Sequence, residues 1–496
     1  MNANRSIFAP TTRVAAMMAA ALMGRVILMS TSALAQDAMQ GPGGSPAAAP
    51  AARDSSGVEI YSGTLGKLIV AAKPGDTIHV PAGVYREHIR IDKPLSLIAE
   101  GRVVIDGMAS GDIIEIGAPN VTFRGFIVRD TGIDLDKENA AIRVLADHAV
   151  IENNTLEDIL FGIDLKQAPD AIVRGNFIGG KDLDIARRGD GLRLWRSDRV
   201  LIENNTIHDG RDAILWYSQN VTVRGNVSRR CRYGFHLMYS DDVVMENNEL
   251  THNSVGIYLM YSKVVTIRGN RLLSNRGPSG YGIGLKETDQ FSINDNLIAA
   301  NRAGIYLDGS PFTKLKPGDI SHNTIACNDV GITFLPSVKG NVIAANNFVD
   351  NIEQVCVSGR GELTGNDFAA GDRGNFWTDY AGYDANADGV GDFAHESVTL
   401  FENLLDREPK LRLLLFSPAQ QAIEFVGRAI PAIRPEPKFF DPSPLTRPVP
   451  IANSAGAAPS RLSLAVCGLG LASIASLVYA SSRAFAHTTR RKGVVA

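Results

Sequence analysis

The chain has 496 residues, 45% of them hydrophobic and 7% aromatic, with a formal net charge of −3. This leaves ample material for a core, and the near-neutral balance carries no electrostatic footprint for nucleic acid. Four cysteines that share no repeat position give no disulfide framework, so buried thiols are expected.

At the N-terminus, Arg5 and Arg13 precede an apolar run from Val14 to Gly24, and Ala33-Leu34-Ala35 has the small-x-small pattern of a signal peptidase site. Residues 1–35 are therefore expected to be a secretory signal peptide. No Arg-Arg pair precedes the run, which points to export of an unfolded chain. Residues 36–57 are rich in Ala, Gly, Pro and Ser and predict a flexible linker. Lys73 to Ile78 and Pro81 to Tyr85 predict short strands punctuated by turn residues.

From about residue 120 a unit recurs: apolar-x-apolar, a polar pair, Asn, then an apolar residue. Val150-Ile151-Glu152-Asn153-Asn154 and Val221-Thr222-Val223-Arg224-Gly225-Asn226 are two copies. The closing asparagines fall at 154, 176, 205, 226, 248, 270, 296, 323, 347 and 366, most often 22 residues apart. Strand-length apolar pieces at that period predict an all-β fold, a right-handed parallel β-helix over residues 58–370, one unit per coil, with Asn stacked on Asn. Asn also tolerates the left-handed conformation that tight corners need.

Beyond residue 370 the repeat stops. Gly374-Asn375-Phe376-Trp377 opens a C-terminal cap over residues 371–430, and residues 418–429 predict a helix with Pro near its first position. Residues 431–450 contain seven prolines, predicting an extended linker across 431–460. Leu462 to Ala480 carries no charge, so residues 461–483 predict a transmembrane helix. Arg483, Arg490, Arg491 and Lys492 beyond it favour a cytoplasmic tail.

Each coil also holds a second strand centred on a leucine: Leu165, Leu194, Leu215, Leu237, Leu259, Leu285 and Leu307. Strand alternation sends these inward and their neighbours outward. The outward column one position later reads Lys166, Trp195, Trp216, Met238, Met260, Lys286, Asp308, which is unusually apolar for a solvent-facing stripe. His236, Met238 and Met260 form a candidate copper site, because thioethers with an imidazole suit Cu(I). Trp195, Trp216, Tyr239 and Tyr261 form a candidate docking surface. In the cap, Asp384, Asn386, Asp388 and Asp392, with Gly389 at the sixth position, match a calcium loop that lacks the usual Glu at position twelve. No phosphate loop, Ser-His-Asp arrangement or zinc signature appears, and Asp241-Asp242, one residue apart in a turn of the coil, point in different directions. The expectation is a protein that is not an enzyme.

The Asn repeat, Tyr233-Gly234-Phe235-His236-Leu237-Met238-Tyr239-Ser240, Gly256-Ile257-Tyr258-Leu259-Met260-Tyr261-Ser262, Gly374-Asn375-Phe376-Trp377 and the Asp384–Asp392 loop together resemble the NosD family. The likeness covers roughly residues 58–450, and the C-terminal apolar segment lies outside it. The resemblance implies a periplasmic β-helix protein that helps assemble the copper sites of nitrous oxide reductase. It implies work with an ABC transporter membrane subunit and a copper chaperone, delivering copper or a sulfur species to the reductase. The transmembrane segment would add an inner-membrane anchor. The competing expectation is a polysaccharide-binding or polysaccharide-cleaving β-helix with Trp195 and Trp216 stacking sugar rings.

Overall fold

The computed structural model describes residues 52–53 and 59–450, apart from 314, 360–362 and 434. The expected signal peptide, most of the 36–57 linker and the 461–483 segment lie outside these residues. Among the described residues, no helix is long and apolar enough to cross a membrane.

The coil spanning residues 200–221 shows how the repeat folds. It has three short strands, Leu201–Glu203, Thr206–His208 and Asp212–Trp216. Alternation buries Ile202, Ile207, Ala213 and Leu215 completely and turns Thr206, Ile214 and Trp216 outward. Each strand pairs in parallel with its counterpart one coil on, aligning Ile202 with Val223, Ile207 with Ser228 and Leu215 with Leu237. Repetition of this unit builds a parallel β-solenoid with three faces. The third face alone is a 12-stranded sheet running from Ile89–Ile91 to Glu353–Val357. The leucine column from Leu165 to Leu307 is fully buried at its centre.

Asparagines close the corner between the first and second faces. Asn154 Nδ2 donates to Asn176 Oδ1 at 3.0 Å, and also to the carbonyl of Phe123. The same pair of bonds recurs at Asn176, Asn205, Asn226 and Asn248, so each buried amide is satisfied. Two details differ from the sequence expectation. The left-handed residue is the one before the ladder asparagine, alternating Asn and Gly from Asn153 to Gly269: Asn204 has φ 54° and Gly225 has φ 64°. A Cβ at Gly225 would meet Asn204 Oδ1 at 2.5 Å, so the alternation is steric. The last rungs are Asn346 and Asn375, not Asn347 and Asn366. Asn347 begins the next strand, and Asn366 instead accepts from Asn341 at a different corner.

Both ends of the core are covered. Helix Thr64–Ala71 lays Leu65 and Ile69 over the first coil, and the Glu87 carboxylate accepts from Leu65 N and Gly66 N at its N-terminus. Ala52–Arg53 pairs antiparallel with Glu59–Tyr61 beside it. Thr77–Arg86 is one continuous strand, shifted in register between Pro81 and Gly83, rather than two short ones. At the far end Trp377 stacks on Phe348 with ring centroids 4.1 Å apart, and Phe439 covers Trp377 in turn. Helix Pro418–Ala429 begins at Ser417, whose side chain accepts from Gln420 N.

Residues 438–449, expected to be linker, cross the end of the solenoid. Asp441 accepts from Asn375 N and from Trp377 Nε1, both at 2.8 Å, and so ends the ladder. Asp441→Ala should therefore destabilise the protein by roughly 1–3 kcal/mol for each buried donor left without an acceptor. Urea unfolding measures this, and an unchanged midpoint would show that the cap does not close the ladder.

Candidate functional site

The outward stripe lies on the third face, one residue per coil. Parallel pairing aligns Trp195 with Trp216, Trp216 with Met238, Met238 with Met260 and Met260 with Lys286. Trp195, Trp216, Met238 and Met260 are half-buried. The two indoles meet edge to face at 5.0 Å, and Trp216 Nε1 is buried without an acceptor. At the following corner Tyr239 stacks between Tyr217 and Tyr261, with centroids 5.0 and 4.9 Å away. Tyr217 was not singled out from sequence, although its position between Trp216 and the Ser218 corner matches that of Tyr239.

The column two residues earlier, on the other side of the leucines, is outward but covered. Asp164, Arg193, Ile214 and His236 are all buried, so the expectation of an exposed imidazole does not hold. His236 is 7% exposed because Tyr233 turns an edge onto it at 5.0 Å and Tyr258 lies alongside. Its Nε2 stands 3.3 Å from Met260 Sδ. Its Nδ1 stands 3.4 Å from Asp212 Oδ2, off hydrogen-bond geometry. Met238 lies next to Met260 in the same column. The structure thus brings His236 against Met260 and seats Met238 on the adjoining strand. An imidazole nitrogen and thioethers on one face are soft donors that fit Cu(I).

Asp212 is fully buried and escaped the sequence reading. A register shift between Asp212 and Ile214 against the next coil sets it opposite Tyr233, on the side of His236. Arg232 Nε donates to its Oδ1 at 2.9 Å, and a second Arg232 nitrogen donates to Oδ2. Burial would raise this carboxyl, but the His236 imidazole and Arg232 guanidinium hold it below the usual range.

At the other end of the stripe, Glu138, Lys166, Arg193, Trp195 and Trp216 line a cavity of about 250 Å³. Arg193 donates to Glu138 at 2.6 and 2.7 Å and to Asp164 at 2.8 and 2.9 Å, and Lys166 reaches Glu138 at 2.7 Å. The Arg193 bond, opposed by burial and joined by Lys166, pulls the Glu138 carboxyl down to about 2. A depressed carboxyl contributes stability above its unfolded pKa and loses it as pH falls through the folded value. Glu138→Gln should therefore flatten the acid limb of the stability curve below about pH 4.5. An acid limb identical to the parent's would remove Glu138 from this network.

In the cap loop, Asp384 Oδ2 accepts from Gly389 N, Asp392 Oδ2 from Ala385 N and Asp388 Oδ1 from Val390 N. Asp384 Oδ1 is buried without a partner. Asn386 Oδ1 accepts from Asp388 N. Elsewhere Glu353, Cys356 and Asp406 converge, a cluster drawn from distant segments with no sequence signal. Lys438 Nζ fills it, 2.8 Å from Glu353 and 2.7 Å from Asp406, as a clasp between the last coil and the cap. Of the cysteines, Cys231 and Cys356 are buried as expected, but Cys327 is exposed at a left-handed corner.

Fold and site define a parallel β-solenoid with a soft-donor stripe on one face. A family described as periplasmic copper-binding protein (NosD) matches residues 175–382, which include the stripe from Trp195 onward and end just before the cap loop. A probable ABC transporter binding protein NosD of Pseudomonas aeruginosa is 32% identical over 385 residues, covering 74% of this chain and 87% of that one. Its namesake from Stutzerimonas stutzeri is 31% identical, with 74% and 86% covered. The chain belongs to the NosD family, which is periplasmic. Among solved structures, the mannuronan C-5 epimerase AlgE4 A-module of Azotobacter vinelandii matches at 16% identity and a TM-score of 0.44, over 62% of this chain and 94% of that one. A likeness at that level carries no functional argument.

Proposed function

We propose that this protein is a periplasmic maturation factor that carries Cu(I) as cargo for the copper sites of nitrous oxide reductase. His236, Met238 and Met260 are the ligands, and the observation that carries the reading is the 3.3 Å approach of His236 Nε2 to Met260 Sδ on a half-buried face. The relatives' name supports work with an ABC transporter. A copper chaperone is the donor and the reductase the acceptor, while residues 462–480 hold the protein at the inner membrane. The test is Cu(I) titration of the purified protein under reducing conditions, paired with the copper content of the reductase in a deletion strain. Failure of both, with binding of oligosaccharides at Trp195 and Trp216, would favour the polysaccharide alternative.

Calcium at Asp384, Asn386, Asp388 and Asp392 is a second proposal, supported by the buried, unpartnered Asp384 Oδ1. A ligand held only by the folded state stabilises it, by about 2.7 kcal/mol at a hundredfold excess over Kd. A chelator should then lower the melting temperature. An unchanged melt, with no calcium in the purified protein, would refute it.

A further inference from the structure

We propose that Asp212 is a positioning residue that holds His236 as its Nδ1–H tautomer, leaving the Nε2 lone pair turned toward Met260; as a role in copper binding this rests on the copper reading above. The two ring nitrogens have different surroundings. Nδ1 faces the Asp212 carboxylate at 3.4 Å, outside hydrogen-bond geometry as the side chains stand, and Nε2 lies within hydrogen-bond reach of a thioether sulfur at 3.3 Å. A carboxylate only accepts hydrogen bonds, so the ring proton is more stable beside Asp212 than beside a weakly accepting sulfur. The carboxylate is itself fixed. Arg232 donates to both of its oxygens, and the backbone N–H of Tyr233 donates to Oδ1 at 3.3 Å. Arg232 in turn lies over the Tyr233 ring at 4.6 Å, and Tyr233 closes one side of the imidazole. With Asp212 fully buried and His236 7% exposed, water cannot supply this orientation. The resulting order, carboxylate to imidazole to metal, is the arrangement by which an outer partner sets the tautomer and basicity of a histidine ligand.

Asp212→Asn keeps the shape and reverses the instruction. The Tyr233 N–H and Arg232 Nε both point at the Oδ1 position, so the amide oxygen settles there, and the NH2 group takes the Oδ2 position, gives up the second Arg232 bond and faces His236. Nδ1 must then accept, and the proton moves to Nε2, where it blocks the metal.

The test uses the full chain with 15N-labelled histidine and no metal. Its His236 signals are assigned by their loss in His236→Ala among the nine histidines. The parent should show neutral His236 as the Nδ1–H tautomer, and Asp212→Asn should show Nε2–H. Cu(I) affinity in Asp212→Asn should fall roughly 10- to 100-fold, the range for loss of an outer partner. An Nε2–H tautomer in the parent overturns the inference without any variant being needed. So does a folded Asp212→Asn protein with unchanged tautomer and Cu(I) affinity. Unchanged Cu(I) binding by His236→Ala would instead overturn the copper reading and leave the tautomer result to judge Asp212 alone.

Discussion

Leu237→Asp should unfold the solenoid or leave it marginal. Leu237 is fully buried between Leu215 and Leu259 in the central column of the third face. Truncating such a side chain costs about 2–5 kcal/mol in lost packing, and a carboxyl with no partner in an apolar core adds a further desolvation cost. Together these approach the roughly 5–15 kcal/mol by which a typical protein is stable. Met238→Asp, one residue on and half-buried on the outer face, should cost far less. Urea denaturation followed by circular dichroism separates the two. If Leu237→Asp melted like the parent, the alternation that places Met238 and His236 outside would be wrong.

The second large effect concerns metal. Replacing Met238 and Met260 together by Leu keeps volume and apolarity, and each such swap usually costs under about 1.5 kcal/mol. Cu(I) affinity, by contrast, should drop by more than the roughly 10- to 100-fold expected from losing an outer partner, because two of three donors disappear. Reductase maturation should fail with it. Trp216→Ala should leave Cu(I) affinity in place and weaken docking, since a buried aromatic anchor is a common interface hot spot. Normal copper binding and normal maturation in the double methionine variant would leave a docking surface with no metal role.

The coils and their inward leucines were legible because the period of two along each strand and the period near 22 along the chain both show in plain sequence. The ladder's final rungs were misplaced for a local reason. Asn346 and Asn347 are adjacent, and the chain inserts extra residues before Asn375, so spacing alone chose the wrong partner at each step. A second ladder, from Asn253 through Asn275, Asn301 and Asn328 to Asn351, went unseen although from Asn275 on it carries the same amide-to-amide bonds as the first. It closes a different corner, and its first rung serves the backbone of Cys231 rather than another asparagine. Of the site, the Trp and Met column could be read from alternation. Asp212 keeps to it, two residues before Ile214, but lies beyond the two columns that flank the leucines, where the next coil shifts register. The burial of His236 depends on Tyr233, which the same shift rotates outward.

The first ladder also has a direction. Each amide passes one hydrogen to the asparagine of the higher-numbered coil, gives the other to a carbonyl of the lower-numbered coil, and accepts from the asparagine below, so the row has unlike ends. Its first oxygen needs a donor and finds the backbone N–H of Phe126 at 3.0 Å. Its last amide needs an acceptor that offers no hydrogen of its own. An asparagine there would only move the problem on by one coil, inviting another chain to continue the stack, as an uncapped solenoid edge does. The Phe368 carbonyl takes the amide hydrogen at 2.8 Å and the Asp441 carboxylate takes the backbone N–H of the same residue, so a carbonyl and one acidic residue arriving from beyond the repeats end the row together.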